Sequence, residues 1–277
     1  MTSPKMLLDK HEIMPKKSLG QNFIHDPGVL EKIVTIAELM PTDTVVEIGP
    51  GTGALTEVLA GVAKQVIAIE IDQRLEPILR TRFARQKNVE LVFGDILRTR
   101  MEQLVPYGDY VIVANLPYYI TSAILRHVLE TPRRASRLIM TVQLEVAARL
   151  VAKPGDMSLL SVSVQYYTKP RIAARLNRAV FYPRPEVDSA VVRLDAYDKS
   201  PVQVADDKLF FRIVRAGFAQ KRKQLKNSLS ADFPMPADVA MALIEAAGID
   251  PRRRAETLTL DEWAALTRAY VPPKDEA

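Results

Sequence analysis

The chain contains no cysteine. That excludes disulfides, a thiolate nucleophile and cysteine zinc sites. Imidazoles are scarce as well: His11, His25 and His127 lie far apart in sequence, so no metal centre is expected. No apolar run approaches the length that spans a bilayer. The segment from Met1 to Met14 mixes charges with short apolar pieces and lacks a signal-peptide core. These absences lead to the expectation of a cytoplasmic protein without membrane contact. What is there is the composition of an ordinary globular chain. Its 277 residues are 48% apolar and 26% charged, enough for one large domain or one large and one small. The net charge of +5 is compatible with a polyanionic partner but does not require one.

Residues 1–15 read as a loose arm. Asp26 followed by Pro27 is an N-cap with proline at the first helical position, and the helix runs through Val29, Leu30, Ile33, Val34 and Ile36 to a break at Pro41-Thr42-Asp43. The β-branched run Val45-Val46-Glu47-Ile48 then feeds into Gly49-Pro50-Gly51-Thr52-Gly53 and an amphipathic helix. Strand, tight glycine turn and helix N-terminus in that order are the opening of an open α/β sheet. Further strands are expected at Val66–Ile69, Val89–Phe93 and Tyr110–Ala114, with helices between them, which makes a mainly parallel sheet. Leu138–Val142 is one more strand and Glu145–Val151 a helix. Residues 158–194 hold several β-like runs around Phe181-Tyr182-Pro183-Arg184-Pro185. Beyond about Asp198 no strand pattern appears, and Phe210–Leu229 reads as helical and basic. The expected architecture is α/β: a Rossmann-like domain over residues 1–198, then a small all-α domain over 199–277.

Successive strands end in Gly49, Glu70, Asp95 and Asn115. In a doubly wound sheet the ligand lies outside the carboxyl ends of the strands, so these four converge on one crevice. Glu70 stands about twenty residues past the glycine loop, the spacing at which an acid accepts from ribose hydroxyls. Asp95 is placed to accept from an amino group such as adenine N6. Either carboxylate alone reads as a solvated turn or a helix cap; together after a glycine loop they favour a nucleoside. Whether that nucleoside is a dinucleotide or a sulfonium cofactor stays open at this point. Asn115-Leu116-Pro117-Tyr118 narrows the choice. An Asn side-chain carbonyl and a neighbouring backbone carbonyl can hold an exocyclic amine for N-methylation while the aromatic ring stacks on the base, so that catalysis is mainly positioning.

In these pieces the chain resembles the ribosomal RNA adenine N6-dimethyltransferases, most closely the bacterial small-subunit (16S) members. The resemblance is carried by Ser18-Leu19-Gly20-Gln21-Asn22-Phe23-Ile24, the glycine loop, Gly94-Asp95, Asn115–Ile120, Gln165-Tyr166-Tyr167, Phe181–Ser189 and Phe218-Ala219-Gln220-Lys221-Arg222-Lys223. It implies that Asn22 and Ile24 close over S-adenosylmethionine, with Gly49 and Gly51 beneath it. It further implies that Glu70 holds the ribose, Asp95 the cofactor adenine, and Asn115 the border between methyl group and target. Asn115, Leu116, Pro117, Tyr118 and Phe181 form the catalytic set, Tyr118 and Phe181 sandwiching an extruded adenine. The implied product is a pair of adjacent N6,N6-dimethyladenosines in the 3′-terminal hairpin of 16S rRNA within the immature 30S subunit, made by a monomer. One departure is a loop reading Asp156-Met157-Ser158 where family members carry a glycine just before the Leu-Ser-Val run.

No acidic residue interrupts the stretch from Phe210 to Ser230. A charge run is ordinarily a solvated helix face, but in an RNA enzyme Lys221, Arg222 and Lys223 become candidates for phosphate contact. The rival readings are the 23S rRNA dimethylating enzyme of macrolide resistance, a non-catalytic assembly factor that keeps the cofactor fold, and a nicotinamide dehydrogenase.

Overall fold

The computed structural model describes residues 3–117, 119–233 and 235–270. It divides into two compact units, Met1–Ala148 with Lys169–Ala196, and Arg149–Thr168 with Tyr197–Ala277. Residues 149–168, expected inside a domain ending at 198, thus cluster with the helical unit.

In the first unit, strand β1 (Phe23–Ile24) pairs antiparallel with β8 (Phe181–Tyr182). The remaining strands are β2 (Thr44–Ile48), β3 (Gln65–Glu70), β4 (Val89–Phe93), β5 (Tyr110–Asn115), β6 (Arg137–Gln143), β7 (Thr168–Leu176) and β9 (Ser189–Ala196). They form one sheet in the order β4-β3-β2-β5-β6-β9-β7. The run from β4 to β6 is parallel, and β9 returns antiparallel to β6. Central strands covered on both faces need continuous apolar runs, and five of the six β5 residues are buried. The order reverses between β2 and β5, so a crevice opens beyond their carboxyl ends. An antiparallel β9 beside β6 leaves β2, β3 and β4 as the one complete nucleotide-binding half, unlike a dinucleotide fold with two.

Helices α1 (Pro4–Lys10), α2 (Pro27–Ala37), α3 (Ala54–Ala60), α4 (Glu76–Phe83), α5 (Met101–Leu104) and α6 (Thr121–Leu129) complete this unit, and α7 (Leu144–Leu150) follows β6. Asp26 caps α2 by accepting from the Val29 N–H at 3.0 Å. The far end of α2 is held by the sheet. Arg137 donates to the Ala37 and Glu38 carbonyls at 2.7 and 3.0 Å and to Asp43 at 2.8 Å. Arg193 donates to the Ile36 carbonyl at 2.9 Å and pairs with Glu38 at 2.8 Å. Carbonyls with no intrahelical partner are thereby satisfied. The N-terminal arm is not loose, which corrects the sequence expectation: Leu8 and Ile13 are buried against Leu75, Ile78, Leu79 and Phe83.

The second unit contains α8 (Leu159–Tyr167), α9 (Asp207–Phe218), α10 (Leu225–Asp232), α11 (Ala237–Ala246) and α12 (Leu260–Ala269). Two expectations change here. The β-like run Leu159–Tyr167 is a helix, because Ser158 and Ser161 form a reciprocal capping box and Gln165 donates to the Leu150 and Ala152 carbonyls. The departing loop before it is fixed as well: the Gly155 and Met157 N–H groups both donate to the Glu256 carbonyl. The basic stretch, expected to be one helix, breaks into α9 and α10, and Lys221, Arg222 and Lys223 occupy the exposed turn between them. The last helix opens on the expected capping box, Thr259 with Glu262.

Helix α9 packs on α12 through Gly217, where an added Cβ runs into the Trp263 ring. Gly217→Ala is therefore expected to lower stability of the helical unit by about 1–3 kcal/mol through overpacking. Thermal unfolding followed by fluorescence of Trp263, the single tryptophan, reads the loss directly; an unshifted transition would contradict it.

Candidate functional site

The crevice beyond β2 and β5 is built from the glycine loop on one side and the Asn115 turn on the other. Ile48 is paired with Ala114, so Gly49 and Asn115 leave the sheet side by side. A Cβ at Gly49 would sit 3.7 Å from the Asn115 carbonyl oxygen. Gly49, Gly51 and Gly53 all take positive φ, 75°, 59° and 83°, a region open to glycine at no steric cost. Gly51 is doubly constrained, because a Cβ there would lie 2.6 Å from the Phe23 ring.

The Asn115 amide is tethered. Its Nδ2 donates to the Asn22 carbonyl at 2.7 Å, which leaves Oδ1 as the acceptor end of the side chain. The turn behind it is fixed by Leu116 N–H to Thr141 carbonyl, 3.2 Å, and by the Thr121 hydroxyl to Pro117 carbonyl, 3.1 Å. Across the crevice, the buried Glu70 carboxylate accepts from the Gly51 N–H at 2.9 Å and the Asp72 N–H at 2.8 Å. Burial raises its pKa against the pull of those two amides.

Asn22, Gly49, Gly51, Glu70, Asn115, Leu116 and Pro117 line one cleft. Ile24 lines an adjoining cavity with Glu47, Gly49 and Asn115. Asp95 stands outside both linings. It lies two residues past Phe93, the register partner of Glu70, and its Oδ1 caps the following turn through the Leu97 N–H at 2.9 Å. Phe181 is also outside both. Its backbone pairs with Ile24, and this turns a ring only 3% exposed into the core cluster with Ile24, Leu30 and Val34. The ring thus faces apolar side chains in this structure, contrary to the expected stacking surface. Tyr118 lies outside the described residues. Lys221, Arg222 and Lys223 belong to the second unit. Among the described residues no group of three or more His, Asp or Glu is arranged to hold a metal, and no helix is long and apolar enough to cross a membrane.

Sequence reasoning passed over Glu47. It is 1% exposed, and its Oε2 has no hydrogen-bond partner among the described residues. Burial pushes its pKa up to about 8, with the Glu70 charge adding to the rise and the Thr56 hydroxyl and Arg82 opposing it. The signal was a lone acid inside an otherwise apolar strand.

A family model described as ribosomal RNA adenine dimethylase matches residues 14–270. The chain belongs to that family. Over 273 residues it is 46% identical to the ribosomal RNA small subunit methyltransferase A of Moorella thermoacetica, covering 95% of this chain and 94% of the relative. It is 43% identical over 272 residues to the protein of the same name from Dehalococcoides mccartyi, covering 98% and 94%. Among solved structures, the dimethyladenosine transferase of Plasmodium falciparum superposes with a TM-score of 0.75 at 27% identity, covering 88% of this chain and 95% of that one. The 23S rRNA methyltransferase ErmE does so with 0.70 at 30% identity, covering 89% and 98%.

The dimethylase draws its methyl groups from S-adenosylmethionine. The crevice fits that cofactor: a glycine floor with no room for a Cβ at Gly51, and a buried acid at Glu70 whose oxygens can accept from a nucleoside. Glu47 sets a pH response. An acid whose folded pKa is raised favours the folded state fully below its unfolded value, 4.5 here, and loses that contribution as pH rises towards about 8. Thermal stability measured between pH 5 and 8 is therefore expected to fall more steeply in the unaltered protein than in Glu47→Gln, the gap reaching on the order of a few kcal/mol at pH 8. Parallel pH profiles would refute the assignment.

Proposed function

We propose that the dimethylase acts on the small subunit, converting two adjacent adenosines in the 3′-terminal hairpin of 16S rRNA to N6,N6-dimethyladenosine. On this reading its substrate is the immature 30S particle, and it works in the cytoplasm as a monomer. Support comes from the 46% and 43% identity to relatives named for the small subunit, against 30% to the 23S enzyme. The 23S reading and that of an inactive assembly factor become outcomes of the test below.

The observation that carries the mechanism is the tethered Asn115 amide. With Nδ2 given to the Asn22 carbonyl, Oδ1 accepts one N–H of the target amine, and a backbone carbonyl of the Leu116-Pro117 turn accepts the other. That turns the nitrogen lone pair towards the methyl group. S-adenosylmethionine supplies the electrophilic methyl; this chain supplies alignment, the main source of acceleration when two reactants must meet. Glu70 accepts from the cofactor ribose through the lone pairs its two amide bonds leave free. Asp95 takes the adenine amino group at the end of β4, and Asn22 and Ile24 cover the cofactor. Tyr118 stacks on the extruded base, and Phe181 completes the stack by turning its ring out of the core. Lys221, Arg222 and Lys223, exposed in their turn, take RNA phosphates.

Asn115→Ala is expected to lower methyl transfer to purified immature 30S subunits by about 10²-fold or more, while the dissociation constant for S-adenosylmethionine changes only a few-fold. Radiolabel transfer with mapping of the modified bases checks both. Full dimethylation by the variant would remove Asn115 from the mechanism, and label appearing on 23S rRNA instead would overturn the substrate.

A further inference from the structure

The residues just after β3 do more than end a strand. Asp72, with a side chain 2% exposed, is reached from three directions. Arg74 grips it through Nε at 2.8 Å and Nη2 at 2.6 Å. Gln21 donates its Nε2 to Asp72 Oδ2 at 2.8 Å. The Asp72 N–H itself donates to Glu70 Oε1 at 2.8 Å. The two partners of the carboxylate both reach into the segment ahead of β1: Gln21 Oε1 accepts the Lys16 N–H at 2.8 Å, and Arg74 Nη1 donates to the Met14 carbonyl at 3.1 Å. Residues 14–21 are therefore fastened at both ends to one buried carboxylate, and Leu19, Gly20 and Gln21 form a wall of the cleft that contains Glu70 and Asn115.

The strength of the fastening has a physical basis. Bonds from a guanidinium and an amide to a buried carboxylate are charge-assisted, and removing the charge leaves the remaining donors unmatched. Burial alone would raise the Asp72 pKa, yet the bonds from Arg74 and Gln21 hold it below the ordinary value, so the group stays charged at neutral pH. Nothing in the transfer chemistry requires this carboxylate to touch the cofactor: Glu70 lines the cleft and Asp72 does not.

We propose that Asp72 is a positioning residue for cofactor retention: by joining Gln21 and Arg74 it holds residues 14–21 closed along the cleft and, through its amide, aims the Glu70 carboxylate. It acts through those partners, and the proposal rests on the cleft being the S-adenosylmethionine site. The consequence is a split in kinetic effects. Loss of the fastening speeds cofactor escape but leaves the alignment at Asn115 intact, because the Asn22 carbonyl that tethers it is held by the adjoining β1 ladder with β8.

The test uses the full-length protein with Asp72→Asn, and Gln21→Ala in case the first variant does not fold. Each is expected to raise the dissociation rate of radiolabelled S-adenosylmethionine, chased with S-adenosylhomocysteine, by about tenfold. KM for the cofactor rises in step, and kcat on immature 30S subunits stays within about twofold, as expected for lost uniform binding. Trypsin cleavage after Lys16 and Lys17 accelerates in both variants. The paired exchange Gln21→Glu with Asp72→Asn, which reverses donor and acceptor, regains part of the slow dissociation. Unchanged dissociation and cleavage in folded variants, or a fall in kcat with KM constant, would overturn the role of Asp72. If S-adenosylmethionine fails to slow cleavage at Lys16 and Lys17 in the unaltered protein, it is the cofactor-site reading itself that fails.

Discussion

The Glu70 carboxylate organises the crevice. One oxygen takes the Gly51 amide and the other the Asp72 amide, so a single buried group fixes both the glycine loop and the chain leaving β3. A charge at this depth is costly to desolvate unless it is well supplied with donors, and two amides pointing at it are a large part of that supply. The loop can reach them because Gly51 occupies a left-handed conformation, and the loop stays in place because Phe23 leaves no space above it. Crevice and fold are thus made by the same contacts.

The opposite wall follows another logic. Asn115 is positioned by a strand end, a buried Leu116 and a carbonyl more than ninety residues away in sequence. Neutral hydrogen bonds determine geometry here, whereas charge determines it at Glu70. On the proposed reading that division suits the chemistry, with the cofactor nucleoside beside Glu70 and the uncharged amine beside an amide. The same reading gives the two walls separate tasks, retention on one side and alignment on the other.

Most of the catalytic unit was legible in the sequence because its signals are local. The run Val45–Ile48 into glycine, the Asp26-Pro27 cap and the strand-end acids each declare themselves within a few residues. What escaped was decided at longer range. Leu159–Tyr167 has the β-branched texture of a strand, and Ser158 with Ser161 turns it into a helix, aided by carbonyls of the preceding chain that Gln165 reaches. Leu8 and Ile13 look like scattered apolar residues until the face of Ile78 and Leu79 is there to receive them. The inward turn of Phe181 depends on its ladder with Ile24, and no periodicity around Phe181 reports that pairing. Glu47 was visible as an acid in an apolar strand, but its burial only became meaningful once Gly49 and Asn115 were seen beside it.

The arginines at the end of α2 give the segment that precedes this helix a remote anchor. Ile24 is followed within three residues by the start of α2, and eleven helical residues at 1.5 Å each make a rod about 16 Å long. Its far end is clamped to β6 and β9 by Arg137 and Arg193. A rod held at one end transmits tilt to the other, so the position of Ile24 in the cavity lining depends in part on two guanidinium groups at the far end of α2. If Ile24 covers the cofactor as proposed, that cover is, mechanically, a lever with its fulcrum at the opposite end of a helix.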